Sequence, residues 1–214
     1  SDLFDYNANG YYDPESGDYP MFCGDYCIFF MFNDMGGTHG QTQVPGLGVE
    51  VHGMLYAFDA PSSSDLSHTL FLKYKIINRG TQTFTQTHLG VWSDFDLGNG
   101  QDDYIGTNVK RSSVFAYNGD DFDEAVLGSE GYGSDLPIQS MMILAGATMD
   151  GDGIDNPLPD ALYSAETNSY GNHGFGFNDG VVDNERLGLS GSICYNNTSS
   201  PINGEPSNGL DFMN

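Results

Sequence analysis

The feature that most constrains this chain is the crowding of aspartates at two places. One run, between Trp92 and Tyr104, holds four carboxylates within ten residues, and a second, between Asp150 and Asn156, holds three within six. Ionised carboxylates this close repel one another, and folding them together is unfavourable unless a cation lies among them. The fold therefore has to supply positive charge at both places.

Cationic side chains are too few for that task. The chain carries 30 Asp and Glu against 6 Lys and Arg, which gives a formal net charge of −24. Asp outnumbers Glu by 23 to 7 and is accompanied by 29 glycines, a combination that favours tight turns and metal loops, because Asp hydrogen-bonds its own backbone. We therefore predict Ca²⁺, which prefers oxygen ligands, as the cofactor. The alternative is that the acidity only keeps a secreted protein soluble.

The first run predicts a calcium site at the end of a strand. If residues 92–96 complete a strand, alternate side chains share a face, and a turn at residues 98–100 returns the next aspartates to them. The predicted ligands are Asp94, Asp96, Asn99, Asp102 and Asp103. A backbone carbonyl would help to complete a shell of about six to eight oxygens. Two alternatives are that these acids cap turns and face water, or that two of them form a catalytic pair.

The second run resembles the centre of the calcium loops in thrombospondin-like and EF-type repeats. Gly153 permits the sharp turn, although the final acidic position of an EF-type loop falls one residue late, at Asp160. The predicted ligands are Asp150, Asp152, the carbonyl of Ile154, and Asp155 or Asn156. A solvated Asp-Gly turn is the alternative. A further candidate is the Asn-Asp-Gly turn at residues 178–180, together with Asp183 and Asn184.

Short strand signals separated by turns predict an all-β chain. No sustained helical period is present, because Gly, Asn, Asp and Pro interrupt the helix-forming residues throughout. The candidate strands are residues 26–33, 48–59, 70–78, 84–94, 114–117, 139–145 and 186–195. The strands at 70–78 and 84–94, joined by a turn at 79–83, are predicted to form a hairpin.

These strands predict a single domain over residues 1–214, with the fold of an antiparallel, jelly-roll-like β-sandwich. Three long loops would connect them, at residues 33–47, 119–137 and 146–184. Loops longer than ~15 residues are uncommon unless they are functional or ordered by a ligand. We expect calcium to order these loops.

Several classes of function are disfavoured by what the sequence lacks. Phosphate binding needs basic stripes, so the acidic chain argues against nucleic acid as a partner. No apolar stretch approaches the ~18 residues of a membrane span, so membrane insertion is not expected. The five histidines form no His-Glu-x-x-His pattern, and Gly-x-Ser-x-Gly is absent. Enzymatic activity is therefore the less favoured hypothesis.

The three cysteines leave the disulfide pairing open. A bond between Cys23 and Cys27, or between either of them and Cys194, is compatible with the spacing, as are three unpaired thiols.

The chain begins at Ser1 without an initiator Met. We expect it to be an excised or processed segment of a larger secreted protein.

A series of segments carries a resemblance to a known group of proteins. The segments are Phe29–Asp34, Leu70–Asn78, Trp92–Gly98, Asp102–Gly106, Tyr117–Asp120 and Met149–Asn156, in that order. The series resembles a region of large, mostly uncharacterised secreted proteins of Bacteroidetes, of the kind exported by type IX secretion and retained at or shed from the cell surface. The resemblance covers residue 20 or so to the end, and it implies an extracellular, cell-surface location rather than a defined activity.

Together these observations predict a calcium-stabilised, extracellular structural or adhesive module of a secreted or surface-attached bacterial protein. Its expected partners are other segments of the same precursor or of a surface assembly. One alternative is a carbohydrate-binding module, in which Trp92 and loop tyrosines stack on a glycan. Another is an accessory domain of a secreted hydrolase, for which two close carboxylates in unlike environments would be the mark.

Overall fold

The chain folds almost entirely into antiparallel β-structure. A computed structural model describes residues 3–40, 43–85, 87–128, 130–149, 151–157, 163–164, 169–170 and 174–195. Within these residues the strands are β1 (Leu3–Phe4), β2 (Tyr19–Pro20), β3 (Tyr26–Asn33), β4 (Val49–Ala57), β5 (Phe71–Asn78), β6 (Asp103–Asn108), β7 (Ser113–Asn118), β8 (Ile138–Met142), β9 (Tyr163–Ser164) and β10 (Ser169–Tyr170). Short 3-10 helices occur at Pro14–Ser16, Asp65–His68 and Val109–Arg111. Among these described residues, no helix is long and apolar enough to cross a membrane.

The described residues form two compact units, which divide after Thr85. The first unit is built on a meander in which β3 pairs with β4 and β4 with β5, all antiparallel. β3 coincides with the predicted strand at residues 26–33, and β4 and β5 lie within those predicted at 48–59 and 70–78. The β-branched and aromatic residues that define these segments fit a pleated sheet, which is why their sequence signal was reliable.

One face of this sheet is covered and the other is open. Met54 and His52, on the covered face, are 1% and 4% exposed. The register places a set of apolar side chains on the opposite face, each 47–66% exposed: Tyr26, Ile28, Phe32, Leu72, Tyr74 and Ile76. We call this set the open apolar face.

The N-terminal segment is fastened to the end of the sheet by Arg79. Its guanidinium binds the Glu50 carboxylate at 2.8 Å and the Gly10 carbonyl at 2.7 Å. It also lies 4.3 Å from the centre of the Tyr11 ring, where a cation is attracted to the aromatic face. His52 contacts the same Glu50 oxygen at 2.8 Å. One carboxylate thus links sheet, arginine and N-terminal segment.

The second unit contains a smaller meander, in which β6 pairs with β7 and β7 with β8. Its centre is Ala116, which has no exposed area. β7 and β8 correspond to the predicted strands at 114–117 and 139–145. β6 was missed, because its Asp, Gly and Asn are poor strand formers. It forms as the partner of β7.

Two strand predictions are wrong. No strand is present between residues 84 and 96 in the described chain, so the hairpin with residues 70–78 does not exist and residues 92–96 are not a strand end. β5 pairs instead with the preceding strand, where Leu72 lies opposite Leu55 and Ile76 opposite Val51. Residues 186–195 are also not a strand. Only Arg186 forms isolated bridges there, to Thr148 and Phe175.

Both three-stranded sheets contain a phenylalanine ring that covers a glycine on the adjacent strand. Phe30 pairs with Gly53 in the first sheet, and Phe115 pairs with Gly106 in the second. A Cβ on either glycine would lie within 2.3 Å of the ring. An aromatic ring over a glycine compensates for the packing that the missing side chain would have provided.

We expect Gly53→Ala and Gly106→Ala to destabilise the protein by about 1–3 kcal/mol each, because the new methyl group displaces a packed ring. The free energy of unfolding in urea measures this effect. Gly36→Ala and Gly90→Ala are matched controls, since a Cβ there meets nothing within 4 Å. Equal losses in all four variants would contradict the proposed role of the rings.

The Glu50 carboxylate predicts a pH dependence of stability. Its hydrogen bond with Arg79, opposed in part by burial and aided by His52, lowers its pKa in the folded protein. A lowered pKa stabilises the fold fully above the ordinary pKa of Glu, and this stability is lost as pH falls through the folded-state value. Glu50→Gln should cost about 1–2 kcal/mol at pH 7 and progressively less below about pH 4. Unfolding curves across this range, with the exposed Glu15→Gln as control, provide the measurement, and a constant difference would contradict the assignment.

Candidate functional site

The first acidic run wraps around one buried carboxylate, that of Asp123. Its Oδ1 accepts the Asn99 N–H at 2.9 Å, and its Oδ2 accepts the Tyr132 N–H at 2.7 Å. Two backbone hydrogen bonds with Gly133 hold Asp123 in place. Gly98, at φ +60°, passes so close that a Cβ would lie 1.8 Å from Asp123 Oδ2. A carboxylate that the sequence analysis did not single out therefore shapes this loop.

Asp103 and Asn118 lie opposite each other at one end of the β6–β7 ladder. Paired residues point to the same face of a sheet with Cβ atoms about 5 Å apart, so carboxylate and amide are neighbours. Asp103 Oδ2 accepts the Leu97 N–H at 2.7 Å. The Asn118 side-chain nitrogen donates to the carbonyl and the carboxylate of Asp120, both at 3.3 Å.

Three oxygens in this region are buried without a hydrogen-bond partner. Among the described atoms, they are Asp102 Oδ1, Asp103 Oδ1 and Asn118 Oδ1. A buried polar atom left unpaired costs about 1–3 kcal/mol, and more when it carries charge. Native proteins rarely leave such atoms without a hydrogen bond, a water or an ion. We refer to these three residues as the first oxygen cluster.

The electrostatics of Asp103 show that the surrounding acids are close enough to repel. Burial raises the pKa of its carboxyl group, and the charges of Asp102, Asp123 and Asp96 raise it further, while the Leu97 N–H acts in the opposite direction. The charges of Asp96 and Asp102 therefore act on Asp103, and repulsion of this kind is relieved by a nearby positive charge.

The remaining predicted ligands of the first run are placed differently. Asp94 is exposed in the stretch that was expected to be a strand. Asn99 is buried, but its Oδ1 accepts the Gln101 N–H at 3.3 Å and so supports the turn. A Cβ on Gly100 would lie 2.5 Å from Asp96 Oδ1, so the turn passes directly over that carboxylate.

The second acidic run is bound by the Asn-Asp-Gly loop that the sequence analysis treated as a separate candidate. Three hydrogen bonds join the two: Gly153 N–H to Asp183 Oδ1 (2.9 Å), Gly180 N–H to Asp155 Oδ2 (2.6 Å), and Asn178 N–H to the Asn156 carbonyl (3.1 Å). We call these segments, residues 151–156 and 178–185, the paired loops. Two candidates that are separate in sequence form one structure.

A buried glutamate closes the paired loops. Glu185 has no exposed area, and its Oε1 accepts the Asn156 N–H at 2.6 Å. Its carbonyl accepts the Met149 N–H at 3.1 Å, and the next residue, Arg186, exchanges two hydrogen bonds with Phe175. Backbone hydrogen bonds at residues 185 and 186 therefore hold the Glu185 carboxylate against the Asn156 N–H.

A second set of buried oxygens without a hydrogen-bond partner lies here. Within the described residues, it comprises Asp155 Oδ1, Asn184 Oδ1 and Glu185 Oε2. We refer to these residues as the second oxygen cluster. Sequence reasoning named Asp155 and Asn184, but in different candidates, and missed Glu185. No local spacing signals it, because it follows Asp155 by 30 residues.

The other predicted ligands of the second run have varied positions. Asp150 lies outside the described residues. Asp152 is exposed, and its Oδ1 accepts the Ile154 N–H at 2.9 Å in a local turn. The predicted ligand at Ile154 is its backbone carbonyl. The side chain of this residue is exposed. Asn156 lies at the contact between the paired loops through its backbone.

At Asp34 and Asp18, backbone N–H groups bind both oxygens of the carboxylate. Asp34 accepts N–H groups from Leu47, Gly48 and Val49 and closes the long loop that precedes β4. Burial acts to raise the pKa of Asp34, but these three hydrogen bonds outweigh it and lower the pKa. Asp18 is buried, and its two oxygens accept the N–H groups of Tyr6 and Asp13. The oxygen clusters differ from these sites because some of their oxygens have no donor.

No three Asp, Glu, His or Cys side chains of the described chain form a group that could hold a metal ion. Each oxygen cluster instead combines two carboxylates with one amide oxygen. Calcium sites commonly mix carboxylate, amide, backbone carbonyl and water oxygens. The donor chemistry of both clusters therefore suits Ca²⁺ and offers no thiolate or imidazole for a softer metal.

The three cysteines, Cys23, Cys27 and Cys194, are free thiols. Cys27 lies in β3 opposite Tyr56.

The chain was compared with protein-family models, with curated proteins and with solved structures, and nothing matches. Function therefore has to be argued from the site itself.

Proposed function

We propose that this chain is a calcium-stabilised structural or adhesive module of a secreted or surface-attached bacterial protein. The observation that carries the proposal is the first oxygen cluster, where carboxylate and amide oxygens are buried and unpaired at the end of the β6–β7 ladder. A cation at this position would offset both the desolvation of these oxygens and the repulsion among their neighbours.

The residues that would hold this ion are Asp102, Asp103 and Asn118, with Asp96 close by. Bound calcium supplies charge neutralisation and fixes the geometry of its ligands. The Asp123 carboxylate would act as a support, since its two oxygens already orient the loop backbone. A second ion would bind in the second acidic run.

The strength expected of such a site supports an extracellular location. Affinity for calcium rises with the number of charged ligands, and extracellular modules with fewer of them bind at about 10⁻⁴–10⁻³ M. A cluster of two carboxylates and one amide belongs to this weaker class. Calcium outside the cell is abundant enough to fill it, in agreement with the secreted, cell-surface protein that the sequence resemblance implies.

The architecture we propose is layered, as in a β-sandwich. The first sheet has its open apolar face, and in the second sheet Tyr104, Ile138 and Met142 are half or more exposed on one face. A sheet with an apolar face is stable when another layer covers it. Other segments of the same precursor or surface assembly are the partners we propose for such a module.

Calcium removal tests the proposal. Binding to the native state alone stabilises it by RT ln(1 + [L]/Kd), about 2.7 kcal/mol at a hundredfold excess over Kd. For a chain of this size that corresponds to a rise in Tm of about 5–10 °C. We expect EDTA to lower Tm by this amount, excess Ca²⁺ to restore it, and Mg²⁺ at the same concentration to restore much less.

A pair of variants assigns the effect to the first oxygen cluster. Asp103→Asn should remove most of the calcium-dependent part of Tm that belongs to this site. Asp135→Asn, which removes an equal charge from an exposed position of the same unit, should leave it unchanged. A Tm that does not respond to chelation, together with no bound calcium by native mass spectrometry, would exclude the proposed function.

The second candidate function is carbohydrate binding, favoured by the aromatic residues on the open apolar face. Phe32 and Tyr74 both contact Phe30, a half-buried ring on the same side of the sheet, with ring centres 6.4 and 6.2 Å away. Exposed aromatic rings in a row provide stacking surfaces for sugar rings. The aliphatic neighbours Ile28 and Leu72 fit a packing surface better, so we rank this candidate second.

Affinity electrophoresis against a panel of soluble polysaccharides separates the two candidates. If the face binds glycan, Tyr74→Ala should weaken retardation at least tenfold, because stacking on that ring is lost. Lys75→Ala, on the opposite face of the same strand, should leave it unchanged. Absence of retardation by every polysaccharide, or equal retardation of both variants, would rule out this candidate.

A further inference from the structure

We propose that the paired loops form one calcium clasp, in which Asp155 Oδ1, Asn184 Oδ1 and Glu185 Oε2 bind a single Ca²⁺ that joins the two segments. This inference rests on the proposed function and deepens it, because it names the ligands of the second site. The second acidic run is then half of a site, and the other half comes from residues 178–185.

Glu185 is the fully buried member of this set. Only one of its two oxygens has a donor, the Asn156 N–H at 2.6 Å. A buried carboxylate with no cation facing it is strongly unfavourable. The residue that precedes Asn156 in the chain, Asp155, supplies a second carboxylate.

Asp155 is oriented in the same manner. Its Oδ2 accepts the Gly180 N–H of the opposite loop at 2.6 Å, and its Oδ1 is buried without a donor. Each carboxylate therefore uses one oxygen to bind the backbone of the other loop. The second oxygen of each is left for a shared ligand at the junction.

Asn184 adds the neutral donor. Its side-chain nitrogen donates to Asp179 Oδ2 at 2.9 Å, which fixes the amide orientation and leaves its Oδ1 buried and unpaired. A Cβ on Gly176 would lie 2.8 Å from this oxygen, so the backbone leaves no room for a side chain beside it. The amide oxygen is pre-positioned within the junction of the paired loops.

The charge of this set matches a divalent cation. Asp155 and Glu185 contribute two negative charges, and Asn184 contributes a neutral oxygen. Backbone carbonyls and water would complete the coordination shell of about six to eight oxygens that Ca²⁺ requires. Mg²⁺ demands a small, near-octahedral shell and dehydrates reluctantly, so we expect it to bind more weakly.

Hydrogen exchange on the full chain tests the clasp without any substitution. Adding Ca²⁺ to the calcium-free protein should slow exchange of the Asn156 and Gly180 amides together, at least tenfold, because these donors lie in different loops but bind the ligands of one ion. Slowing in only one of the paired loops would overturn the clasp.

Calorimetric titration with CaCl₂ supplies the second measurement. Glu185→Gln keeps the side-chain shape and removes one ligand charge, so we expect one calcium per chain to be lost or bound at least tenfold more weakly. Asp135→Asn removes an equal charge from an exposed position outside the paired loops and should change affinity less than twofold. Circular dichroism confirms that both variants fold.

The outcomes separate this inference from the proposed function. If wild-type protein binds calcium and Glu185→Gln binds the same number equally well, the clasp is wrong while the calcium-stabilised module stands. If no calcium binds to the wild type, both proposals fail. Loss of one ion in Glu185→Gln, but not in Asp135→Asn, supports the clasp.

Discussion

The interaction on which this structure depends is the hydrogen bond from a backbone N–H to a carboxylate. A chain with so few lysines and arginines cannot neutralise its acids with side chains. Backbone N–H groups of loops bind the carboxylates instead, at Asp18, Asp34 and Asp123. Each of these carboxylates accepts hydrogen bonds from residues distant in sequence. Hydrogen bonds to charged acceptors are stronger than neutral ones, which allows a few aspartates to organise long loops.

Backbone N–H groups do not satisfy every carboxylate oxygen. An aspartate whose two oxygens both receive N–H groups is complete, and no further ligand is needed. In the two oxygen clusters Asp103, Asp155 and Glu185 each have one oxygen that accepts a backbone N–H and one that is buried without a donor. A cation with a preference for oxygen is the simplest partner for what is left.

The two units solve related problems with different means. In the first, Arg79 and Glu50 fasten the N-terminal segment to the sheet, so a cationic side chain is used where one is available. The second unit contains both oxygen clusters. The guanidinium of Arg186 in this unit donates to the Gly146 carbonyl at 3.5 Å. The stabilising role of calcium is therefore proposed for the unit in which carboxylates converge.

The sequence by itself determined the β-class of the chain, the strands β3, β4 and β5, and the two places where acids crowd. These properties are local: strand propensity is carried by consecutive side chains, and charge density is a matter of composition. Only the tertiary structure decided that β5 pairs with β4, that Asp103 lies opposite Asn118, and that Glu185 binds the Asn156 N–H. Such pairings depend on which distant segments exchange hydrogen bonds, and the spacing of residues along one chain does not record this.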